Sequence, residues 1–197
     1  TQKVNHLPGV EQLSKKRNLV RCMTPMMKSE PEAYSFMPRS WSFPGGYNDF
    51  VESFKAQRAK EAAAMERGEE VNPMTYIVKP GSACQGRGIY LVQRLEDIKP
   101  VNGHVVSEYI ANPLLINNKK FDLRIYVAVT STNPLRVYLY QDGLARFCTE
   151  DYVAPKPDNL ATLFGHLPNY SLNKMNENFV SADEEADEGG SESSKWT

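Results

Sequence analysis

Large apolar side chains occupy every second position between Phe121 and Thr130, and no other feature of the sequence constrains the fold as strongly. A side-chain period of two is that of a β-strand, whose successive residues point to opposite faces of a sheet. One face carries Phe121, Leu123, Ile125, Val127 and Val129, and the other carries Asp122, Arg124 and Tyr126. We therefore predict a long strand whose apolar face packs against helices.

Turn signals surround this strand at short intervals. Asn133-Pro134 precedes a strand predicted over 136–140, and Asp142-Gly143 predicts a two-residue hairpin turn into a strand over 144–148. Strands joined by such short links run antiparallel. Three further strands are predicted upstream from β-branched and aromatic runs, at 75–79, 89–92 and 105–110.

Two helices are predicted before the strands. The first extends from Gly9 to Met27, with Pro25 marking its end, and the second begins near Asn48 and ends at Gly68. Helices followed by a largely antiparallel sheet are typical of the α+β class. We therefore expect an α+β fold with helices that flank the sheet.

Composition excludes several classes of protein. The 197 residues are enough for one domain with a hydrophobic core. No apolar run approaches the roughly 18 residues of a membrane helix, and we expect neither a membrane nor a nucleic-acid partner. The three cysteines lie far apart, at Cys22, Cys84 and Cys148, which argues against a disulfide scaffold or a zinc site and predicts a reducing, cytoplasmic compartment.

Charge is unevenly distributed, although the formal net charge is only -1. Basic residues predominate from Lys3 to Lys28, which is compatible with an ordinary helix surface or with attraction of an acidic partner. Acidic residues predict a flexible loop over 181–194. Because the chain begins at Thr1 and stops at Thr197, where a new element starts, we expect residues 1–197 to be a partial domain of a longer protein.

A glycine-rich segment follows the strand that ends at Lys79. Its three glycines, Gly81, Gly86 and Gly88, would let backbone amides approach a phosphate, and Lys79 would neutralise the phosphate charge. A glycine-rich turn without a ligand is the alternative. Both interpretations remain open on the residues alone.

Two other segments could contribute to a polar site. Lys120, Asp122 and Arg124 share one strand face with Arg146 nearby, which fits a polyanion site or an ordinary surface ion-pair ladder. Glu108-Tyr109-Ile110 ends a strand, where free backbone groups could pair with a purine edge or simply form a sheet edge. We assign no acid–base role to His166.

Taken together, the segments resemble the tubulin tyrosine ligase-like enzymes, and the polyglutamylase branch most of all. The motifs follow one another at compatible spacing from about Asn5 to Val180 and resume at Lys195-Trp196. They are Asn5-His6-Leu7-Pro8-Gly9, Ile77-Val78-Lys79-Pro80, Gln85-Gly86-Arg87-Gly88-Ile89, Asn112-Pro113-Leu114-Leu115-Ile116, Lys120-Phe121-Asp122-Leu123-Arg124 and Gly143-Leu144-Ala145-Arg146-Phe147.

The resemblance implies an ATP-grasp fold, in which two α+β lobes hold ATP between antiparallel sheets, here without its C-terminal part. The resemblance implies that Lys79 contacts the ATP phosphates and that the loop of Gln85, Gly86, Arg87 and Gly88 covers them. The implied adenine hinge is Glu108, Tyr109, Ile110 and Ala111. Base and ribose would be contacted by Lys120, Phe121 and Asp122, and Asn169 would also touch the nucleotide. Free glutamate would be bound by Arg146, Tyr170, Ser171 and Lys195. Arg124 would be catalytic, steadying the phosphate or the acyl intermediate.

The implied activity is ATP-dependent addition of glutamate to glutamate side chains of tubulin C-terminal tails, through an acylphosphate. Mg²⁺ is implied too, with its ligands downstream of Thr197 and none in this chain, so the chain alone is expected to be inactive. The implied partners are tubulin or microtubules and free L-glutamate, at the cytoskeleton, with the cilium or basal body as candidate locations. Pro168 replaces a threonine that the family usually has, which keeps open a non-catalytic microtubule-binding module. A ligase for glycine or tyrosine is a third alternative, although Arg146 and Lys195 favour an acidic donor.

Overall fold

The computed structural model describes residues 7–81, 88–179 and 194–196. The chain divides into two compact units. We call one the N-terminal unit, made of Val10–Ala111 and Ala154–Ala161, and the other the hairpin unit, made of Thr1–Gly9, Asn112–Val153 and Thr162–Thr197. Each unit has its own antiparallel sheet, whereas the residue pattern alone predicts one largely antiparallel sheet.

The N-terminal unit contains three helices and a four-stranded sheet. The helices are α1 (Glu11–Ser14), α2 (Lys16–Ser29) and α3 (Tyr47–Glu66), and the strands are β1 (Ser40–Ser42), β2 (Tyr76–Lys79), β3 (Tyr90–Val92) and β4 (Val105–Glu108). The strand order is β1-β4-β2-β3, and every neighbouring pair is antiparallel. A 3₁₀ turn, Leu95–Asp97, follows β3.

An aromatic cluster forms the core of this unit. Phe50 from α3, Phe43 after β1 and Tyr76 from β2 are fully buried, and their rings meet edge to face, with the Phe50 and Tyr76 centroids 5.3 Å apart. Such edge-to-face pairs contribute beyond their buried area. The packing confirms that α3 buries the apolar edge predicted from Phe50 and Phe54, whereas Met65 is exposed.

The first predicted helix differs from the structure in two respects. It is broken at Lys15, whose backbone is extended, and it continues beyond Pro25 to Ser29, so the prediction that Pro25 ends it is wrong. Proline removes one helical N–H, here the donor to the Arg21 carbonyl. Arg21 is exposed, so water can satisfy that carbonyl. The helix continues to Ser29, and the N–H of Glu30 donates to the Met26 carbonyl at its end.

The hairpin unit is dominated by two long strands. Its strands are β5 (Leu115–Ile116), β6 (Lys119–Thr132), β7 (Leu135–Phe147) and β8 (Lys195–Trp196), which pair in that order, all antiparallel. A 3₁₀ turn, Leu163–Gly165, and a short helix α4 (Tyr170–Asn173) lie between β7 and β8 in the chain. The alternating segment therefore forms the predicted long strand.

The predicted hairpin turn at Asp142-Gly143 is wrong. Both residues lie inside β7, which is continuous, and the turn between the two long strands is at Asn133-Pro134. Gly143 serves close strand approach instead of a turn, because a Cβ there would lie 2.6 Å from the Arg124 carbonyl oxygen. Asp142 belongs to an irregularity, since Tyr140, Gln141 and Asp142 lie opposite the single residue Tyr126. The Asp-Gly pair, which is common in hairpin turns, therefore lies at a β-bulge here.

In the described part of the hairpin unit, no helix packs on the apolar face of β6, contrary to expectation. Leu123 is 60% exposed, and Val127 and Leu139 are exposed to a similar degree. Among the described residues of this unit, burial is confined to the base of the hairpin and the segment around α4, where Phe147, Cys148, His166 and Leu167 lie. The expectation of helical cover is met in the N-terminal unit alone.

The α+β prediction, with antiparallel sheets and flanking helices, is confirmed, and the architecture is ATP-grasp-like. Among the described helices, none combines the length and the hydropathy needed to cross a membrane.

Candidate functional site

Lys79 ends β2 beside the glycine-rich segment. Its side chain is partly buried, and within the described ranges no carboxylate pairs with its ammonium group. Burial lowers the pKa of Lys79, and the nearby positive charge of Lys16 lowers it further. A bound anion would stabilise the charged form of a lysine that is partly buried beside a second lysine.

Lys16 is a residue that the sequence interpretation did not single out. It lies at the first position of α2, and its Nζ donates a hydrogen bond to the Pro80 carbonyl, 3.3 Å away. A basic residue in a basic helix gives no sequence signal for a contact 64 positions along the chain. The structure therefore adds a lysine to the start of the glycine-rich segment.

Both ends of the glycine-rich segment are sterically constrained. Gly81 lies against Gly103, because a Cβ on Gly81 would be 2.1 Å from the Gly103 carbonyl oxygen. Gly88 has a positive φ of 67° and lies close to the Pro80 ring. Glycine is required at both positions for backbone reasons. The predicted contacts Gln85, Gly86 and Arg87 lie outside the described residues.

The predicted adenine hinge follows β4. The N–H groups of Glu108 and Tyr109 donate to the carbonyls of Arg39 and Thr75, at 3.0 and 2.9 Å. Of the backbone hydrogen bonds formed by described residues, none uses the N–H of Ile110, whose side chain is 57% exposed. Tyr109 is buried, and Ala111 is partly buried. Ile110 is therefore the hinge residue placed to present both a backbone donor and an apolar surface.

The carboxylate of Glu108 is engaged by Arg39, the residue before β1. Arg39 Nε donates to Glu108 Oε1 at 2.7 Å, and a second guanidinium nitrogen contacts the same oxygen. Arg39 also donates to Ser53 Oγ in α3 at 3.3 Å. The hydrogen bond to Glu108 raises the pKa of Arg39. This carboxylate therefore anchors β1 and α3 to the hinge.

Asp122 and Arg146 form the polar centre of the hairpin unit. They are direct cross-strand neighbours on β6 and β7, and Arg146 donates from Nε and Nη2 to the two carboxylate oxygens, at 2.7 and 2.6 Å. This two-bond geometry is the strongest form of the arginine–carboxylate pair. The hydrogen bonds raise the pKa of Arg146.

The remaining predicted residues of β6 flank this pair. Lys120 lies 5.7 Å from the centre of the Tyr152 ring, and the Phe121 ring lies 5.6 Å from that of Phe147. Arg124 is exposed, and no acidic side chain in the described part of the chain pairs with it. Arg124 is thus a cation available to a ligand next to an arginine that is already paired.

The segment around α4 brings three predicted residues together. Asn169, Tyr170 and Ser171 are consecutive, and Tyr170 is 43% exposed with its ring 5.4 Å from that of Phe179. Pro168, which precedes them, is buried. Lys195 lies in β8 with its backbone paired to Arg146 of β7, so the backbones of two predicted glutamate ligands are adjacent.

Asn173, the last residue of α4, is a second feature that the sequence interpretation missed. It is 1% exposed and satisfies its side-chain amide completely within the hairpin unit. An asparagine in an Asn- and Ser-rich segment is typical of a turn cap, and this resemblance conceals a buried position.

The predicted site residues fall into two sets, one in each unit. Lys79, Gly88 and residues 108–111 belong to the N-terminal unit, together with the added Lys16. The hairpin unit holds the others that the structure describes: Lys120, Phe121, Asp122, Arg124, Arg146, Asn169, Tyr170, Ser171 and Lys195. In the described ranges, no three His, Cys, Asp or Glu side chains cluster as metal ligands would.

Comparison with known proteins gives consistent matches. The sequence profile of the Tubulin-tyrosine ligase family matches residues 1–196. The chain is 43% identical over 179 residues to "Tubulin polyglutamylase ttll6" of Danio rerio, which covers 91% of this chain and 21% of that protein. It is 42% identical over 195 residues to "Tubulin polyglutamylase TTLL7" of Homo sapiens, covering 99% and 21%.

A ciliate protein is similar to the same degree. "Probable beta-tubulin polyglutamylase" of Tetrahymena thermophila is 42% identical over 178 residues, which is 90% of this chain and 14% of the ciliate protein. The chain spans about a fifth or less of the length of these relatives.

Proposed function

This chain belongs to the tubulin-tyrosine ligase family, and from that membership we propose that it forms part of an ATP-dependent ligase that adds glutamate to glutamate side chains of tubulin tails. The observation that carries the proposal is the pair of lysines at the glycine-rich segment. Lys79 and Lys16 lie together at its start, and no described carboxylate pairs with Lys79. A triphosphate would supply the missing negative charge.

The proposed reaction has two balanced steps. A carboxylate oxygen of an acceptor glutamate attacks the γ-phosphorus of ATP, the bond to the β,γ-bridging oxygen breaks, and ADP leaves with that electron pair. The amine of free glutamate then attacks the acyl carbon of the acylphosphate, the C–O bond breaks and phosphate leaves. The amine gives up a proton to solvent, and an amide bond remains.

In this proposal the residues of the chain act by positioning and by neutralising charge. Lys79 and Lys16 would hold the phosphates, Ile110 would pair with the adenine edge and Asp122 would accept from the ribose. Arg124 would offset the repulsion between the acceptor carboxylate and the triphosphate. Holding both reactants removes the entropic cost of a three-body encounter, and cations fixed near the developing charge stabilise the transition state.

Arg146 is proposed to bind the carboxylate of free glutamate. Its Nε and Nη2 donate to Asp122, which fixes the plane of the guanidinium, and the N–H groups of Nη1 would bind the carboxylate of glutamate. An acidic donor fits this site better than glycine, because the backbone of the proposed ligand Lys195 is adjacent and would bring a second cation.

The described residues do not fit a metal ion. Mg²⁺ therefore enters the proposal only as the ion that accompanies a nucleoside triphosphate, and no step depends on it here. Tubulin or microtubules are the proposed partner, and the cytoskeleton, with the cilium or basal body, is the proposed location.

The proposal is tested by substituting Arg146→Ala in the intact protein. We expect the KM for glutamate to rise roughly 10- to 100-fold, the effect of losing charged hydrogen bonds, while the KM for ATP changes far less. Tubulin, ATP and glutamate are incubated together, and glutamyl additions are measured by mass spectrometry over a series of substrate concentrations.

Arg136→Ala is the matched control, since Arg136 is an exposed arginine on the same strand. An equal rise in both KM values for Arg146→Ala would contradict the role given to Arg146. A wild-type protein that adds no glutamate would contradict the proposed function itself.

A further inference from the structure

A buried asparagine connects the two segments of the hairpin unit that carry the proposed glutamate ligands. Asn173 Oδ1 accepts hydrogen bonds from the backbone N–H and the hydroxyl of Thr149, at 2.9 and 3.0 Å. Asn173 Nδ2 donates to the carbonyls of Leu167 and Asn169, at 2.7 and 3.0 Å. Both acceptor sites and both donors of the amide are therefore used.

The partners of Asn173 adjoin the proposed ligands. Thr149 lies three residues after Arg146, just past the end of β7, and Asn169 is followed directly by Tyr170 and Ser171. A single amide group thus ties the end of β7 to the start of α4. With 1% exposure, no water competes for these bonds, so the two segments are held in one arrangement.

We propose that Asn173 is a positioning residue of the amino-acid site, which fixes Tyr170 and Ser171 relative to Arg146. The proposal rests on the proposed function and deepens it. An apolar side chain of the same size would leave the Thr149 N–H and the Leu167 carbonyl buried without the partners that Asn173 gives them. The Asn169 carbonyl would keep the backbone N–H groups of Leu172 and residue 173. The α4 segment would then shift, and a displacement of about 1 Å costs up to 100-fold in a positioned reaction.

The test compares three variants of the intact protein. Asn173→Leu removes all four hydrogen bonds, Thr149→Val removes only the hydroxyl bond, and Asn176→Ala is the matched control. Asn176 lies three residues after Asn173 and donates to Glu150 Oε1 at 2.8 Å, and its described hydrogen bonds do not involve residues 167–169. The melting temperature of each variant is measured first. KM values for glutamate and for ATP are then measured well below that temperature.

We expect the KM for glutamate to rise at least tenfold in Asn173→Leu and about threefold in Thr149→Val, and less than twofold in Asn176→Ala. The KM for ATP should rise at most a third as much, because most proposed nucleotide contacts lie elsewhere. A purely structural role would lower the melting temperature and the amount of active protein, yet leave the KM values of the folded fraction unchanged.

The proposal is overturned if folded Asn173→Leu keeps its KM for glutamate within twofold of wild type, or if both KM values rise equally. If Asn173→Leu does not fold, Thr149→Val decides, and an unchanged KM for glutamate in that variant overturns the proposal. Failure of the proposed function is distinguishable, because the wild-type protein would then show no glutamate-dependent release of ADP.

Discussion

The Lys79 ammonium combines burial with a neighbouring cation, and both lower its pKa from the ordinary value of 10.5. The charged form binds phosphate, so affinity is complete below the lowered pKa and is lost as pH rises through it. We expect the affinity for a non-hydrolysable ATP analogue to fall with rising pH before pH 10.5 is reached, where an exposed lysine would titrate. Isothermal titration calorimetry across this range measures the effect.

Lys79→Met supplies the comparison. It should bind the analogue more weakly at pH 7 and show a flatter pH dependence, whereas the exposed Lys99→Met should behave as wild type. If Lys79→Met keeps the wild-type pH profile, another group titrates and Lys79 is not the phosphate ligand.

At the scale of elements, β7 depends on a glycine inside the strand. A Cβ at Gly143 would lie 2.6 Å from the Arg124 carbonyl oxygen, which belongs to the paired backbone of β6 and cannot move independently. We expect Gly143→Ala to destabilise the protein by about 1–3 kcal/mol. Gly45→Ala is the control, since nothing lies within 4 Å of a Cβ there, and urea denaturation compares the two. If Gly143→Ala were as stable as Gly45→Ala, the two strands would accommodate the Cβ without loss of free energy, which would contradict the prediction.

A second element-level contact joins α3 to the sheet through Glu61. Its carboxylate accepts from Gln57 Nε2 and from the Met74 N–H, both at 2.9 Å, and pairs with Arg58, which donates to the carbonyls of Met74 and Gln93. Burial acts to raise the pKa of Glu61, but these hydrogen bonds outweigh it and lower the pKa below 4.5. The stabilisation is therefore present above the unfolded value and is lost as pH falls through the folded one.

Glu61→Ala should lower the free energy of unfolding by about 1–3 kcal/mol at neutral pH, because the Met74 N–H loses its acceptor and Arg58 loses its only carboxylate among the described residues. Glu96→Ala breaks the exposed pair with Arg94 and should leave the melting temperature unchanged. The difference in the free energy of unfolding between wild type and Glu61→Ala should shrink on acidification below pH 4. A difference that stays constant would exclude the carboxylate as its source.

The sequence predicts elements well where one period dominates, and poorly where two structures share a signal. Alternation from Phe121 to Thr130 identifies β6, but Asp142-Gly143 has the composition of a turn and forms a bulge within β7. At the site, Arg146 is found by its motif. Lys16 and Asn173 receive no site role from the sequence, because their hydrogen-bond partners are set by tertiary packing.

At the scale of the whole molecule, each unit contains its own buried cluster. The aromatic cluster around Phe50 belongs to the N-terminal unit, whereas Cys148 is 1% exposed in the hairpin unit, where burial raises the pKa of its thiol to about 12. Cys148 is consequently unreactive while that unit is folded, because the thiolate is the reactive form. Trp41, whose ring lies 5.2 Å from that of Phe50, reports on the other unit.

Phe50→Ala should therefore destabilise one unit selectively. We expect a loss of about 3–5 kcal/mol in the urea transition seen by Trp41 fluorescence, measured in a Trp196→Phe background. Alkylation of Cys148 is followed by peptide mass spectrometry as urea is raised. The urea concentration at which half of Cys148 becomes alkylated should stay at its wild-type value. Midpoints that shift together would mean that the chain unfolds as one cooperative body.

The bond from Lys16 to Pro80 has a practical consequence for anyone who shortens this protein. A version trimmed to start at Glu30 would keep all four strands of the β1-β4-β2-β3 sheet. It would nevertheless lose the second lysine beside Lys79. Inactivity of such a trimmed protein would then report the missing N-terminal helix, and would say nothing about the chemistry of the residues left behind.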